Sequence, residues 1–158
     1  MKQTCIDYRI HEIRKTEDLS PFMTLKELVH FLNQNMRPYQ DEFRDIQRGL
    51  EYAFSREPGK GGFVLLAESY GMPVGVLVML NTGMGGYVPE NLLLFVSVHE
   101  TSRNAGIGSA LVCHALKLCK GDIKLHVEYH NPAKRLYEKL GFTSKYAEMR
   151  YCCESPPN

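Results

Sequence analysis

Apolar residues recur along this chain with two periods. Around Ile6, Tyr8 and Ile10 they alternate with polar ones, which predicts a first strand over residues 4–14. Leu25, Leu28, Val29 and Leu32 then fall at i, i+3, i+4 and i+7. That is one face of a helix, opening near Ser20-Pro21 and broken at Arg37-Pro38. Phe43, Ile46, Leu50 and Phe54 repeat the pattern in a second helix, closed by Pro58-Gly59-Lys60-Gly61-Gly62. Apolar runs over 63–67 and 74–80 flank Tyr70-Gly71-Met72-Pro73 and predict a β-hairpin. A glycine-rich loop, 82–86, leads to a strand over 92–98, whose near-continuous apolar character predicts burial on both faces. The helix after it carries Ile107, Leu111, Ala115 and Leu118 in one stripe and stops at Gly121-Asp122. Residues 123–127 read as a strand. Asn131-Pro132 opens a last helix with Ala133, Leu136, Tyr137 and Leu140 inward and Gly141 as its cap. Residues 142–153 are expected to add one or two closing strands.

The fold class is therefore α/β: a single domain over 1–153, with 154–158 as a frayed tail. Its central mixed sheet is flanked by helices, and the segment from 92 to 127 must be a right-handed β-α-β parallel crossover. Composition narrows the function. The net charge of +1 disfavours nucleic acid as a partner, because a phosphate backbone calls for a basic face. The longest apolar runs are too short to span a bilayer, and the first residues lack a signal-peptide pattern, so no membrane role and a cytoplasmic location are expected. Five cysteines (Cys5, Cys113, Cys119, Cys152 and Cys153) fit no zinc spacing and read as reduced thiols, so no metal is expected.

The chemistry concentrates after the strand 92–98. Arg103-Asn104-Ala105-Gly106-Ile107-Gly108 turns from a buried strand into a helix. Such a turn exposes backbone N–H groups at a helix N-terminus, where an anion is favoured, and glycines allow close approach of a phosphate. The spacing R-x-x-G-x-G is neither a Walker loop nor the dinucleotide fingerprint.

Two motifs in order resemble the GNAT superfamily of acyl-CoA N-acyltransferases. One is Val98-x-x-x-x-Arg103-x-x-Gly106-Ile107-Gly108. The other is Asn131-Pro132-Ala133-x-x-Leu136-Tyr137-Glu138-Lys139-Leu140-Gly141-Phe142. The resemblance is strongest over 92–142, and the element order elsewhere agrees. It implies a GNAT-like, mostly antiparallel sheet, acetyl-CoA or another acyl-CoA as donor, an amine acceptor, and direct transfer without a covalent enzyme intermediate. It also implies that backbone N–H groups of Arg103, Asn104, Ala105, Gly106, Ile107, Gly108 and Ser109 hold the pyrophosphate. The pantetheine arm would lie along Val96 and Val98. Tyr137 corresponds to the family tyrosine near the thioester sulfur, a general acid for the departing thiolate, although its position equally suits a helix core. Asn131 is either a helix cap or a pantetheine contact, and His130 stands where the commoner family spacing puts the asparagine. Three departures bear on the first motif. Glu100 replaces a frequent proline, Asn104 a frequent glycine, and Ala105 a frequent basic residue.

An attacking amine must be neutral, and a lysine-like amine has a pKa of about 10.4, so a base or relay is needed. Glu128, expected on the strand entering the second motif, is the first candidate, alongside Glu100, Glu68 and His99. In GNAT proteins the first two helices and the loop before the fourth strand shape the acceptor site. Here these are residues 25–54, whose charges are mixed, and 82–91, whose glycines suit a lid. Tyr39 and Tyr87 suit an apolar pocket, and Phe43 is expected in the core. Two other functions stay open. A non-catalytic acyl-CoA-binding module would use the same cleft, and a nucleotide-binding protein would use Gly106 and Gly108 for another phosphate. An exposed C-terminal edge strand would suit a homodimer.

Overall fold

The computed structural model describes residues 5–153. They divide after Leu125 into two compact units, each taken in turn. The first unit holds β1 (Arg9–Ile13), a one-turn helix α1 (Thr16–Leu19), α2 (Leu25–Asn35), α3 (Phe43–Ala53), β2 (Gly62–Ser69), β3 (Met72–Asn81), β4 (Asn91–Val98), α4 (Ile107–Leu118) and β5 (Ile123–Leu125). The strands lie in sequence order, antiparallel from β1 through β4, with β5 parallel to β4. This is the mixed, mostly antiparallel sheet expected, with α4 as the crossover.

Each helix packs on the face its periodicity marks. Leu28, Val29 and Leu32 of α2 and Ile46, Leu50 and Ala53 of α3 are buried against Val64, Leu66, Val76, Val78 and Phe95 of the sheet. Val76 and Val78 mark that face of β3, so Gly75 and Leu77 belong to the opposite one. There α4 packs so closely that a Cβ on Gly75 would meet Ile107 Cγ2 at 2.8 Å and Leu111 Cδ1 at 3.0 Å. Helix α2 begins one turn later than Ser20-Pro21. Thr24 accepts from the Glu27 N–H (3.2 Å) while Glu27 accepts from the Thr24 N–H (2.7 Å), a reciprocal capping box. The β2–β3 hairpin turns through Tyr70 and Gly71, both at positive φ (49° and 80°), as a tight two-residue connection requires.

Two devices shape β4. Between Met79 and Val78 of β3 the paired residues on β4 step from Leu93 to Phe95, so Leu94 is an extra, bulged residue. Its side chain and that of Phe95 then both face α3, closing on Gly49. At the other end, the buried Asn91 donates through Nδ2 to the carbonyls of Lys120 (2.8 Å) and Asp122 (3.1 Å). That bonding fastens the chain entering β5 to the start of β4.

The second unit, from His126 on, contains α5 (Ala133–Lys139). Gly141, at φ +97°, ends it as expected. The Phe142 N–H reaches the Tyr137 carbonyl (3.0 Å), and the Gly141 N–H reaches that of Glu138 (3.1 Å). The two rings stack edge-on with centroids 5.8 Å apart.

Several expectations need correction. The first strand is Arg9–Ile13 rather than 4–14, and Thr4 lies outside the described residues. The fifth strand stops at Leu125, not 127. Residues 142–153 form no strand, so the edge on which a homodimer would pair is not formed there. Alternation favours a strand only where a neighbouring strand takes its hydrogen bonds. The 154–158 tail lies outside the described residues.

Candidate functional site

The turn after β4 is built to present backbone. A short 3-10 turn, Glu100–Ser102, carries the chain off the strand. Asn104 then takes φ +62° and Gly106 φ +80°, and Ile107 opens α4. Asparagine tolerates the left-handed region through its short polar side chain, so replacing the frequent glycine leaves the turn intact. Left-handed residues placed this way turn successive N–H groups into a concavity that suits an anion. No side chain caps the twelve-residue α4, so its first N–H groups and its positive end face this concavity. A Cβ at Gly106 would meet nothing within 4 Å, so its glycine answers to backbone angle rather than crowding.

Just before the turn, β4 has an edge without a strand. The His99 N–H donates to the Val74 carbonyl (2.9 Å), which makes the facing pair Gly75–Val98 a non-hydrogen-bonded one. Leu77–Val96 is another. Val96 and Val98 therefore direct their own N–H and C=O groups away from β3. On that side β5 pairs with Asn91, Leu92 and Leu93 only. Among the described residues no strand takes up the outward groups of Val96 and Val98. The parallel crossover and the bulge at Leu94 together leave this notch in the sheet.

Arg103 stands at the junction, and its side chain is engaged. Nε donates to the Val98 carbonyl (3.3 Å) and Nη2 to the Asn35 carbonyl at the end of α2 (2.9 Å). Asn35 Oδ1 accepts from the Glu100 N–H (3.3 Å). The His99 ring lies 6.4 Å from that of Phe31. Asn35 is a part of this site that the sequence did not mark.

Ser97, between Val96 and Val98, faces the α2–α3 side with Val76, its partner across the ladder. It is 3% exposed, and its hydroxyl finds no hydrogen-bond partner. In the sequence it is a single polar residue in an apolar run, with no local sign of its burial.

The candidate bases fare differently. Glu128 lies in the loop after β5, not on a strand, and is exposed; its carbonyl accepts from the Asn131 N–H (3.0 Å). Glu100 is exposed. Glu68 is committed elsewhere, bonded to His11 (3.3 Å) and to the Gly71 N–H, and those donors lower its pKa, the Gly71 amide most. His99 Nδ1 accepts from the Thr101 N–H (3.3 Å) and bonds the Thr101 hydroxyl (2.8 Å). A backbone amide only donates, so the imidazole proton sits on Nε2, the wrong tautomer for a base acting from that nitrogen.

In the second unit, Asn131 Oδ1 accepts from the Ala133 N–H (2.9 Å), the capping role, which leaves its amide Nδ2 to offer elsewhere. Tyr137 is 8% exposed. Burial pushes its phenol up to about 12.

The acceptor-side expectations shift as well. Phe43 is 45% exposed, stacked on His30 (4.8 Å), at the wall of a groove between α2 and α3 shared with Leu25 and Val29. The loop 82–90 is stitched down. The Thr82 N–H donates to the Glu90 carbonyl (2.9 Å) and its hydroxyl to the Pro89 carbonyl (2.7 Å), and a Cβ on Gly83 would sit 2.7 Å from the Gly59 carbonyl. It also joins the start of the eight-residue β4, about 26 Å from the anion turn by strand rise, so it does not fold over that turn as a lid.

The model of the acetyltransferase (GNAT) domain matches residues 60–144, just over half the chain. The chain belongs to the GNAT acetyltransferase family. Solved structures agree in fold. A GNAT-family acetyltransferase from Streptococcus pneumoniae TIGR4 superposes with a TM-score of 0.67 at 16% identity, covering 94% of this chain and 100% of that one. An aminoglycoside N-acetyltransferase in complex with CoA gives 0.66 at 11% identity, covering 94% and 97%. The ribosomal-protein-alanine N-acetyltransferase from Brucella melitensis biovar Abortus 2308 gives 0.62 at 16%, covering 93% and 100%. Among curated proteins, cysteine-rich protein 2-binding protein of Mus musculus and of Homo sapiens are each 40% identical over 57 residues. That stretch is 35% of this chain and 7% of either relative, so the GNAT chain is matched to a small part of much longer proteins. No helix among the described residues is long and apolar enough to cross a membrane.

Proposed function

We propose that this GNAT protein transfers an acetyl group from acetyl-CoA to a primary amine by direct attack within a ternary complex. The carrying observation is the junction of two features in one unit: the outward N–H and C=O groups of Val96 with the outward N–H of Val98, and the left-handed turn at Asn104 and Gly106 leading into the uncapped α4. An extended arm bearing amides would complete the sheet edge as an added strand. The pyrophosphate at its end would then meet the N–H groups of residues 103–109. With its guanidinium engaged, Arg103 contributes backbone there rather than charge.

The amine lone pair attacks the thioester carbonyl carbon, and the C–S bond breaks. The amine gives up a proton, which we assign to Glu128, directly or through water. The departing thiolate gains one, assigned to Tyr137. A phenol whose pKa is raised to about 12 stays protonated at neutral pH and enters the reaction as a hydrogen-bond donor. Asn131, through its free amide, or His130 would contact the pantetheine.

Thermal unfolding with acetyl-CoA, CoA, ATP and NAD at matched concentration tests the donor. A ligand at a hundred times its Kd adds about 2.7 kcal/mol to a native state that alone binds it. Stabilisation by acetyl-CoA and CoA but not by ATP or NAD supports the reading and opens an amine screen with a free-thiol readout. No stabilisation by either acetyl-CoA or CoA overturns it.

A further inference from the structure

Arg103 joins two elements far apart in sequence. Its backbone is the first residue of the anion turn, and its guanidinium reaches the Val98 and Asn35 carbonyls at 3.3 and 2.9 Å. Asn35 is the last residue of α2. The final carbonyls of a helix have no partner within it, and its negative end favours a cation. Helix α2 has no basic residue in its own last turn. Arg103 supplies that cation from 68 positions later in the chain. The Asn35 side chain returns a bond by accepting from the Glu100 N–H (3.3 Å). The N-terminal end of α2 is already closed by its Thr24–Glu27 capping box. At the C-terminal end the Asn35 Nδ2 donates to the Phe31 carbonyl (2.9 Å) and the Met36 N–H to that of Leu32 (3.1 Å), and the bracket adds the partner of the Asn35 carbonyl itself.

We propose that Arg103 is a positioning residue that couples the anion turn to α2, so that a ligand ordering the turn also orders the last turn of that helix. The geometry asks for a fork. Two carbonyls on different elements are reached by two nitrogens of one planar guanidinium, and a lysine ammonium on a flexible stem does not hold both in one fixed geometry. Of the two side-chain links, Asn35 to the Glu100 N–H and Arg103 to the Asn35 carbonyl, the guanidinium is the one anchored on the anion turn, at the residue 103 backbone. The part of this inference that concerns CoA rests on the donor reading above; the bracket itself does not.

Hydrogen exchange on the whole chain, with and without CoA, separates the two. In the wild type, CoA is expected to slow exchange both at 104–110 and at the amides of 33–36. In Arg103→Met without ligand, exchange at 33–36 is expected to quicken by about three- to tenfold, the scale of one partly exposed charge-assisted hydrogen bond, while α3 and β2 stay unchanged. CoA should then protect the turn of this variant but no longer α2. Arg103→Lys should behave like Arg103→Met, since charge without the fork does not restore the bracket. Three results overturn the proposal: unchanged exchange at 33–36 in ligand-free Arg103→Met, recovery of full coupling by lysine, or a loss of CoA affinity in Arg103→Met that lysine restores while α2 stays as in the wild type. The last would make Arg103 a phosphate ligand. If wild-type CoA binding is absent, the donor reading and the coupling fail, whereas the ligand-free comparison still reads the bracket.

Discussion

Gly75 of β3 lies directly under Ile107, the first residue of α4, with room for a hydrogen but not a methyl group: a Cβ there would approach Ile107 Cγ2 to 2.8 Å. Gly75 also faces Val98 across the ladder. One missing side chain thus sets the height of the α4 N-terminus over the strand whose edge we assign to the pantetheine arm.

Gly75→Ala should therefore do two things at once. Overpacking a filled core costs about 1–3 kcal/mol, which a chemical denaturation curve will read. Lifting Ile107 also displaces the N–H groups of the turn, so CoA affinity should fall more than it does in a destabilising variant elsewhere in the core, such as Leu28→Ala. Equal affinity in the two variants would mean that α4 adjusts without moving its first turn.

Ser97→Ala separates stability from use. A buried hydroxyl without a partner costs about 1–3 kcal/mol, so the alanine variant should be more stable than the wild type by about 1 kcal/mol. If the hydroxyl serves a bound substrate, turnover will fall while the unfolding midpoint rises. A midpoint that falls instead would show that the hydroxyl is satisfied in solution.

Much of this frame is readable from periodicity, and the reasons it fails in places are physical. The stripes of α2, α3 and α4 and the glycine end of α5 follow local rules, as does the left-handed turn at Asn104 and Gly106. The Thr24-x-x-Glu27 capping box was equally local and fixes the start of α2 better than Ser20-Pro21 does. Phe43 fits its helical stripe yet remains 45% exposed, because it sits on the first turn of α3, at the rim where His30 rather than the sheet meets it. The bulge at Leu94 exists only in the pairing with β3 and has no signature in β4 itself. Arg103 carries no local sign of its partner on α2. The alternation of Ala147, Met149 and Tyr151 resembles a strand, but a strand is a relation between two segments, and residues 142–153 take no part in one.

Glu128→Gln tests the assigned base. The side chain is exposed in a loop, so the substitution should leave the unfolding midpoint within about 0.5 kcal/mol. CoA binding should also be unchanged. Turnover should drop by about 10²- to 10⁴-fold where the amine is protonated in solution, and recover in part as pH approaches the amine pKa, where the nucleophile is already neutral. A wild-type rate at every pH would sink the assignment and return the search for a base to solvent or to the acceptor itself.

Tyr137 offers a prediction in which stability and chemistry have opposite signs. Burial raises its phenol from an ordinary value near 10 to about 12, so the folded state prefers the protonated form more strongly than the unfolded chain does. The stability tied to that preference is fully present below pH 10. It is lost as pH climbs from the unfolded value toward the folded one, because the unfolded chain releases the proton first. Over that window the loss amounts to roughly 2–3 kcal/mol at 1.36 kcal/mol per pKa unit. Tyr137→Phe has no proton to lose and should escape it. Between pH 10 and 12 the stability of the variant relative to the wild type should therefore rise by that amount, whatever their offset at neutral pH. At pH 7 the same variant should keep its CoA affinity yet release free thiol at least tenfold more slowly, since the departing sulfur loses its hydrogen-bond donor. Parallel pH curves would mean that the ring is solvated in solution, and an unchanged thiol rate would mean that Tyr137 serves packing against Phe142 alone.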